Sequence, residues 1–211
     1  MFGIENYGVF ILASVTLNLI PGPDTMYILG SSMSGGKNAG TLSALGISTG
    51  CVIHTVMAAL GLSVILSRSA MAFNLIKYLG AGYLVYLGWR SFRSTSALLV
   101  DKDRKIKKTD KKIFLQAVMT NVLNPKVALF FLAFLPQFID PANPYGILPF
   151  LLLGITFVIT GTIWGMILAL GTSYFASKVM GGPETSGLLN KITGIIYIGL
   201  GLNLVRARIA G

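Results

Sequence analysis

The stretch from Asn38 to Ser67 contains no Asp, Glu, Lys or Arg. A helix needs about 20 mostly apolar residues to cross the roughly 30 Å of hydrocarbon in a bilayer, and this stretch is longer than that. A soluble domain of 211 residues would have to place charges on its surface far more often. Composition agrees: 54% of the side chains are apolar and 11% charged, against roughly 25% charged in a typical globular domain. The bilayer is the better solvent for such a chain.

Runs between charges divide the sequence into six expected transmembrane helices, an all-α integral membrane protein. The first runs from about Asn6 to Leu29 and is interrupted by Pro21-Gly22-Pro23-Asp24. The second lies within Asn38 to Ser67, and the third covers about Ala70 to Trp89, holding Lys77. The fourth extends from Ile113 to about Gln137, the fifth from Gly146 to about Tyr174, and the sixth from Gly187 to Val205. With Glu5 and no Lys or Arg before Lys37, the first segment lacks the positive leader of a signal peptide and is expected to be retained.

The net charge of +10 is local. Lys102, Arg104, Lys105, Lys107, Lys108, Lys111 and Lys112 fall in one loop, which excludes a basic face for nucleic acid and fits anionic membrane lipid. The positive-inside bias puts that loop in the cytoplasm together with Lys37, Arg90, Arg93, Lys178 and Lys191, and both termini outside. Arg68, Lys77, Arg206 and Arg208 then fall outside. One cysteine, Cys51, and one histidine, His54, leave no metal centre and no disulfide. The spacing around Gly36-Lys37 is wrong for a phosphate loop, so no cofactor is expected.

Similar patterns recur in order. Lys77, Gly80 and Tyr83 match Lys191, Gly194 and Tyr197 at an offset of 114. Gly46-Ile47-Ser48 and Ala59-Leu60-Gly61 match Gly154-Ile155-Thr156 and Ala169-Leu170-Gly171 at 108 and 110. Thr16 and Pro21 match Thr120 and Pro125 at 104. Three crossings per unit is odd, so duplicated units would insert with opposite orientation, as in many secondary transporters. The expected organisation is a first three-helix repeat over residues 1–93, the basic loop over 94–112, and a second repeat over 113–211.

Two charges lie deep inside spans: Asp24 in the first and Lys126 in the fourth. Each costs roughly 2.5 to 3.5 kcal/mol on insertion scales, so each needs a partner or a task. Pro21, Gly22 and Pro23 break the first helix, and Asn124-Pro125 breaks the fourth, freeing backbone groups that survive in lipid only against protein or a water-filled cavity. A cavity lined by Asp24, Lys126, Asn18, Asn121 and Asn124 would suit a small zwitterion: Asp24 for its ammonium, Lys126 or a half-helix end for its carboxylate. A structural Asp24 to Lys126 ion pair is the bland alternative. Asp24 and His54 are the candidates for proton coupling, with interhelical hydrogen bonding the alternative for His54. Gly46-x-x-x-Gly50 and Gly161-x-x-x-Gly165 read as packing faces, within the chain or in a homodimer.

The blocks Asn18-Leu19-Ile20-Pro21-Gly22-Pro23-Asp24, Gly40 through Gly50, Lys77 through Leu84, Asn124-Pro125-Lys126 and Phe130 through Phe138 together resemble the LysE/RhtB family of bacterial amino-acid exporters. The resemblance spans nearly the whole chain. It implies a six-helix inner-membrane protein that exports amino acids such as homoserine, threonine, lysine, arginine or leucine, with the homoserine and threonine branch nearer in pattern than the basic amino-acid branch, and no enzymatic activity. A membrane enzyme and a non-transporting assembly protein are the alternatives to a secondary transporter working by alternating access.

Overall fold

The computed structural model describes residues 2–62, 70–93, 109–172 and 183–206. Most of the basic loop, residues 94–108, lies outside them, as do Arg68, Lys178 and Arg208. The described residues are helical almost throughout, as expected of the class. In chain order they form α1 (Tyr7–Leu19), α2 (Pro23–Met57), α3 (Ala70–Arg93), α4 (Asp110–Val122), α5 (Pro125–Leu129), α6 (Leu148–Leu170) and α7 (Pro183–Arg206).

Both expected breaks are present. α1 stops at Leu19, where Ile20 turns extended ahead of Pro21, and the helix restarts at Pro23. α4 stops at Val122, and the segment from Pro125 to Phe138 leaves it at 47°. Proline explains both, because it cannot donate to the carbonyl four residues back and its ring clashes with the preceding turn.

The boundary between the first and second expected spans takes a different form from a loop. Helix runs from Pro23 to Leu62, 40 residues, which as a straight rod would reach about 60 Å, twice the hydrocarbon thickness. It folds back at Gly36, whose φ of 74° and ψ of −170° belong to a region essentially reserved for glycine. Close to the fold the legs touch where Gly40 packs on the side chain of Ser32.

Two described helices, Pro23–Leu62 and Leu148–Leu170, are long and apolar enough to cross a membrane, and the bent pair Asp110–Val122 with Pro125–Phe138 makes a third span when taken as one. α3 and α7 have 24 residues each, but α3 carries Lys77, Arg90 and Arg93, and within α7 the apolar part is Lys191–Leu202. The lipid-facing character is plainest on α6. Ile155, Ile159, Ile163 and Ile167 are exposed at four-residue spacing, while Leu153, Phe157 and Leu168 on the other side are buried. A helix apolar on both sides is a membrane helix or a core helix, and this one has its apolar outer side uncovered.

α2 packs against α4 and α6, and α3 against α7. Glycine sets these approaches: a Cβ on Gly46 would meet the backbone oxygen of Phe114 at 2.6 Å, and one on Gly88 that of Gly194 at 2.8 Å. The larger core is aromatic. Phe130 stacks on Phe157 at 4.5 Å, and Phe10 meets Phe138 edge-on at 5.2 Å. Over this block the chain start is tied to the segment before α6: Glu5 N donates to Phe138 O (2.8 Å), Asp140 N donates to Gly3 O (2.9 Å), and Ile4 pairs antiparallel with Ile139.

Candidate functional site

The two broken helices set the site, and the chemistry begins with two missing amide hydrogens. In an unbroken α1 the carbonyl of Leu17 would accept from residue 21, but residue 21 is proline. That oxygen accepts instead from Lys126 Nζ at 3.1 Å, and the carbonyl of Ile20, left over where the chain turns extended, accepts from the same Nζ at 3.0 Å. Pro125 does the same to Asn121. Its carbonyl accepts from Asn124 N at 2.9 Å and from His54 Nε2 at 3.3 Å, which requires the imidazole to carry its proton on Nε2.

Asp24 sits in the first turn of α2, where an anion is favoured by the helix dipole. One carboxylate oxygen, Oδ2, accepts from Asn121 Nδ2 at 2.8 Å, while Oδ1 is buried with no hydrogen-bond partner. Asn121 therefore holds Asp24 through its side chain and His54 through its backbone. Its own Oδ1 and the Nδ2 of Asn124 are likewise buried without a partner. Asn124 caps α5, its Oδ1 accepting from Lys126 N at 3.0 Å.

Asp24 and Lys126 line one cavity, together with Asn18 on α1, Ser48 and Cys51 on α2, and Thr162 and Trp164 on α6. The two charges border the same space. They are not joined as an ion pair: among the described residues no nitrogen to oxygen contact within 4.0 Å links them, and the lysine is committed to backbone carbonyls instead. Asn18 Nδ2 donates to Thr160 Oγ1 at 3.1 Å. Asn121 and Asn124 stand behind the cavity wall, and His54 lies further back, stacked on Phe131 at 5.6 Å. Pro21, Pro23 and Pro125 shape the breaks, and Gly22 packs beside Lys126, whose Nζ lies 3.4 Å from where a Cβ at Gly22 would be, an ordinary contact.

The cavity is small, about 30 Å³, room for roughly two or three waters. Its polar lining residues are accompanied by apolar ones, Ile28, Ile47, Phe157, Val158 and Leu168 among them. Ser48 and Thr162 escape sequence reasoning, though their hydroxyls lie 2.7 Å apart across the α2 to α6 seam. Their signal is a lone hydroxyl beside glycines that read as packing, and Gly161 and Gly165 line the cavity as well. Among the described residues there is no cluster of His, Cys, Asp or Glu able to hold a metal ion.

The family model of the LysE type translocator matches residues 15–208. The chain is 34% identical over 201 residues to the uncharacterized membrane protein YrhP of Bacillus subtilis (strain 168), covering 92% of this chain and 95% of that protein. It is 29% identical over 206 residues to the leucine efflux proteins of Salmonella choleraesuis (strain SC-B67) and Salmonella paratyphi A (strain ATCC 9150 / SARB42), covering 96% of each chain. No solved structure matches the chain.

Proposed function

The chain belongs to the LysE type translocator family, and from that membership we propose that it exports a small neutral amino acid across the bacterial inner membrane as a multi-pass secondary transporter. It is a membrane translocator and not an enzyme, which removes the membrane-enzyme alternative. In this reading six spans form two inverted three-helix repeats around the cavity. The substrate ammonium binds the unpartnered Oδ1 of Asp24, and the carboxylate takes the remaining N–H of Lys126. Asn18 adds a polar side chain to the lining, Asn121 holds Asp24 from behind it, and Asp24 with His54 carries the coupling proton.

The observation that carries this reading is the buried, unpartnered carboxylate oxygen of Asp24 in a cavity shared with Lys126. An acid in that state inside a lipid-facing bundle is costly unless a cation arrives to meet it. The inverted repeat is supported by the two prolines. At the offset of 104, Leu17 corresponds to Asn121 and Gly22 to Lys126. Each freed carbonyl is met by a basic side chain, and Lys126 reaches its counterpart Gly22. Because the cavity holds only a few waters, it must widen to admit an amino acid, as alternating access requires. Its apolar lining favours a leucine-like side chain over the hydroxyl-bearing homoserine and threonine, and the leucine efflux relatives agree.

The test is counterflow in proteoliposomes with a labelled amino-acid panel. Exchange of a neutral amino acid is expected, strongest for apolar side chains, and Asp24→Asn is expected to abolish it while the protein still inserts and melts cooperatively. Full counterflow by Asp24→Asn removes the role given to the carboxylate.

A further inference from the structure

The Lys126 ammonium occupies an unusual seat. It is 6% exposed, and two of its three protons go to the carbonyls of Leu17 and Ile20 at the C-terminal end of α1. That end carries the negative pole of the helix, equivalent to roughly half an elementary charge, and the Asp24 carboxylate lines the same cavity. Freed carbonyls at a helix break are what broken-helix transporters use to coordinate a dissolved coupling cation. Here the oxygens are already satisfied by a cation attached to the chain.

We propose that Lys126 is a tethered substitute for a coupling metal ion: its ammonium fills a monovalent-cation site built from Leu17 O and Ile20 O, so that the α1 break stays assembled without sodium. Pro21 creates the site by removing the N–H that Leu17 O would otherwise accept from. Gly22 lies beside it, Nζ falling 3.4 Å from where a Cβ there would be, an ordinary contact distance. Tethering keeps the site filled at any salt composition. The residue therefore positions the break, beyond any contact it makes with substrate. The transport arm of the test rests on the export reading above, but the site itself does not.

Two measurements decide it. Purified Lys126→Ala and the unsubstituted protein are melted in choline, sodium and methylammonium chloride. With the site emptied, sodium or methylammonium is expected to raise the melting temperature of Lys126→Ala by about 5 °C or more over choline, with the unsubstituted protein unmoved. In counterflow, the unsubstituted protein is expected to work equally in choline and sodium. Lys126→Ala is expected to lose at least tenfold in choline and to recover most of that loss with sodium or methylammonium. If Lys126→Ala does not accumulate folded, growth with methylammonium or high sodium is expected to restore it. A sodium requirement in the unsubstituted protein overturns the proposal, as does a Lys126→Ala whose melting or accumulation ignores the cation, or one active in choline. Absence of any amino-acid counterflow by the unsubstituted protein defeats the export reading and leaves the melting comparison to judge the site.

Discussion

A proline removes one amide hydrogen, and in this chain two prolines decide where the charged side chains go. Asp24 and Lys126 were legible in the sequence because an isolated charge in an apolar run is expensive and must be answered. Their arrangement was not legible. A direct ion pair was the bland alternative to a shared cavity, and neither reading named the partners found: Lys126 meets Leu17 O and Ile20 O, and Asp24 meets Asn121. Backbone acceptors have no letter in the sequence, so only the geometry of the break reveals them. Ser48 and Thr162 were hidden for another reason: each hydroxyl can also bond the carbonyl four residues back in its own helix, so neither looks out of place in lipid. Asn121→Ala strips Asp24 Oδ2 of its donor. It is expected to cost about 1–3 kcal/mol, read as a lower melting temperature, and to raise the substrate concentration needed for half-maximal counterflow.

At the scale of the element, helix breaks were readable from proline but the return at Gly36 was not. A glycine with lysine and asparagine after it looks like an ordinary short turn, and nothing in the letters says that helix resumes at once. No atom lies within 4 Å of a Cβ placed on Gly36, so Gly36→Ala meets only torsional strain, about 1–3 kcal/mol, and should lower the melting temperature accordingly. Packing glycines behave differently. Gly50→Ala would bring a Cβ within 2.6 Å of Asn121 Oδ1 and within 2.7 Å of Asn121 Cβ, pushing α4 from α2 and straining the bond to Asp24. A loss of about 1–3 kcal/mol is expected, together with reduced counterflow. Gly61→Ala, with nothing within 4 Å of the added carbon, should be neutral in both measurements.

For the whole molecule, hydropathy was enough to give an all-helical membrane protein, and the repeated motifs suggested how it is organised. The pairing of Ile4 with Ile139 had no local signal, since contacts that distant in sequence leave no periodicity. Ile4 and Ile139 face each other between the two flanking hydrogen bonds, the position where antiparallel backbones come closest and a disulfide fits. Under the alternating access proposed above, one face of the bundle must part, and this pairing ties the chain start to the segment that ends the aromatic block. Ile4→Cys with Ile139→Cys is therefore expected to stop counterflow on oxidation and to recover it on reduction, with gel mobility reporting the crosslink. Transport that continues through a complete crosslink would place the opening elsewhere.

Asp24 and His54 both sit on α2, one on each leg of the fold at Gly36. No slack chain lies between the legs to absorb a displacement, so any tilt of the short arm is imposed on the long one, as in a crank. On the export reading, a small molecule wedged at that elbow is expected to lock both arms and slow counterflow without entering the chamber.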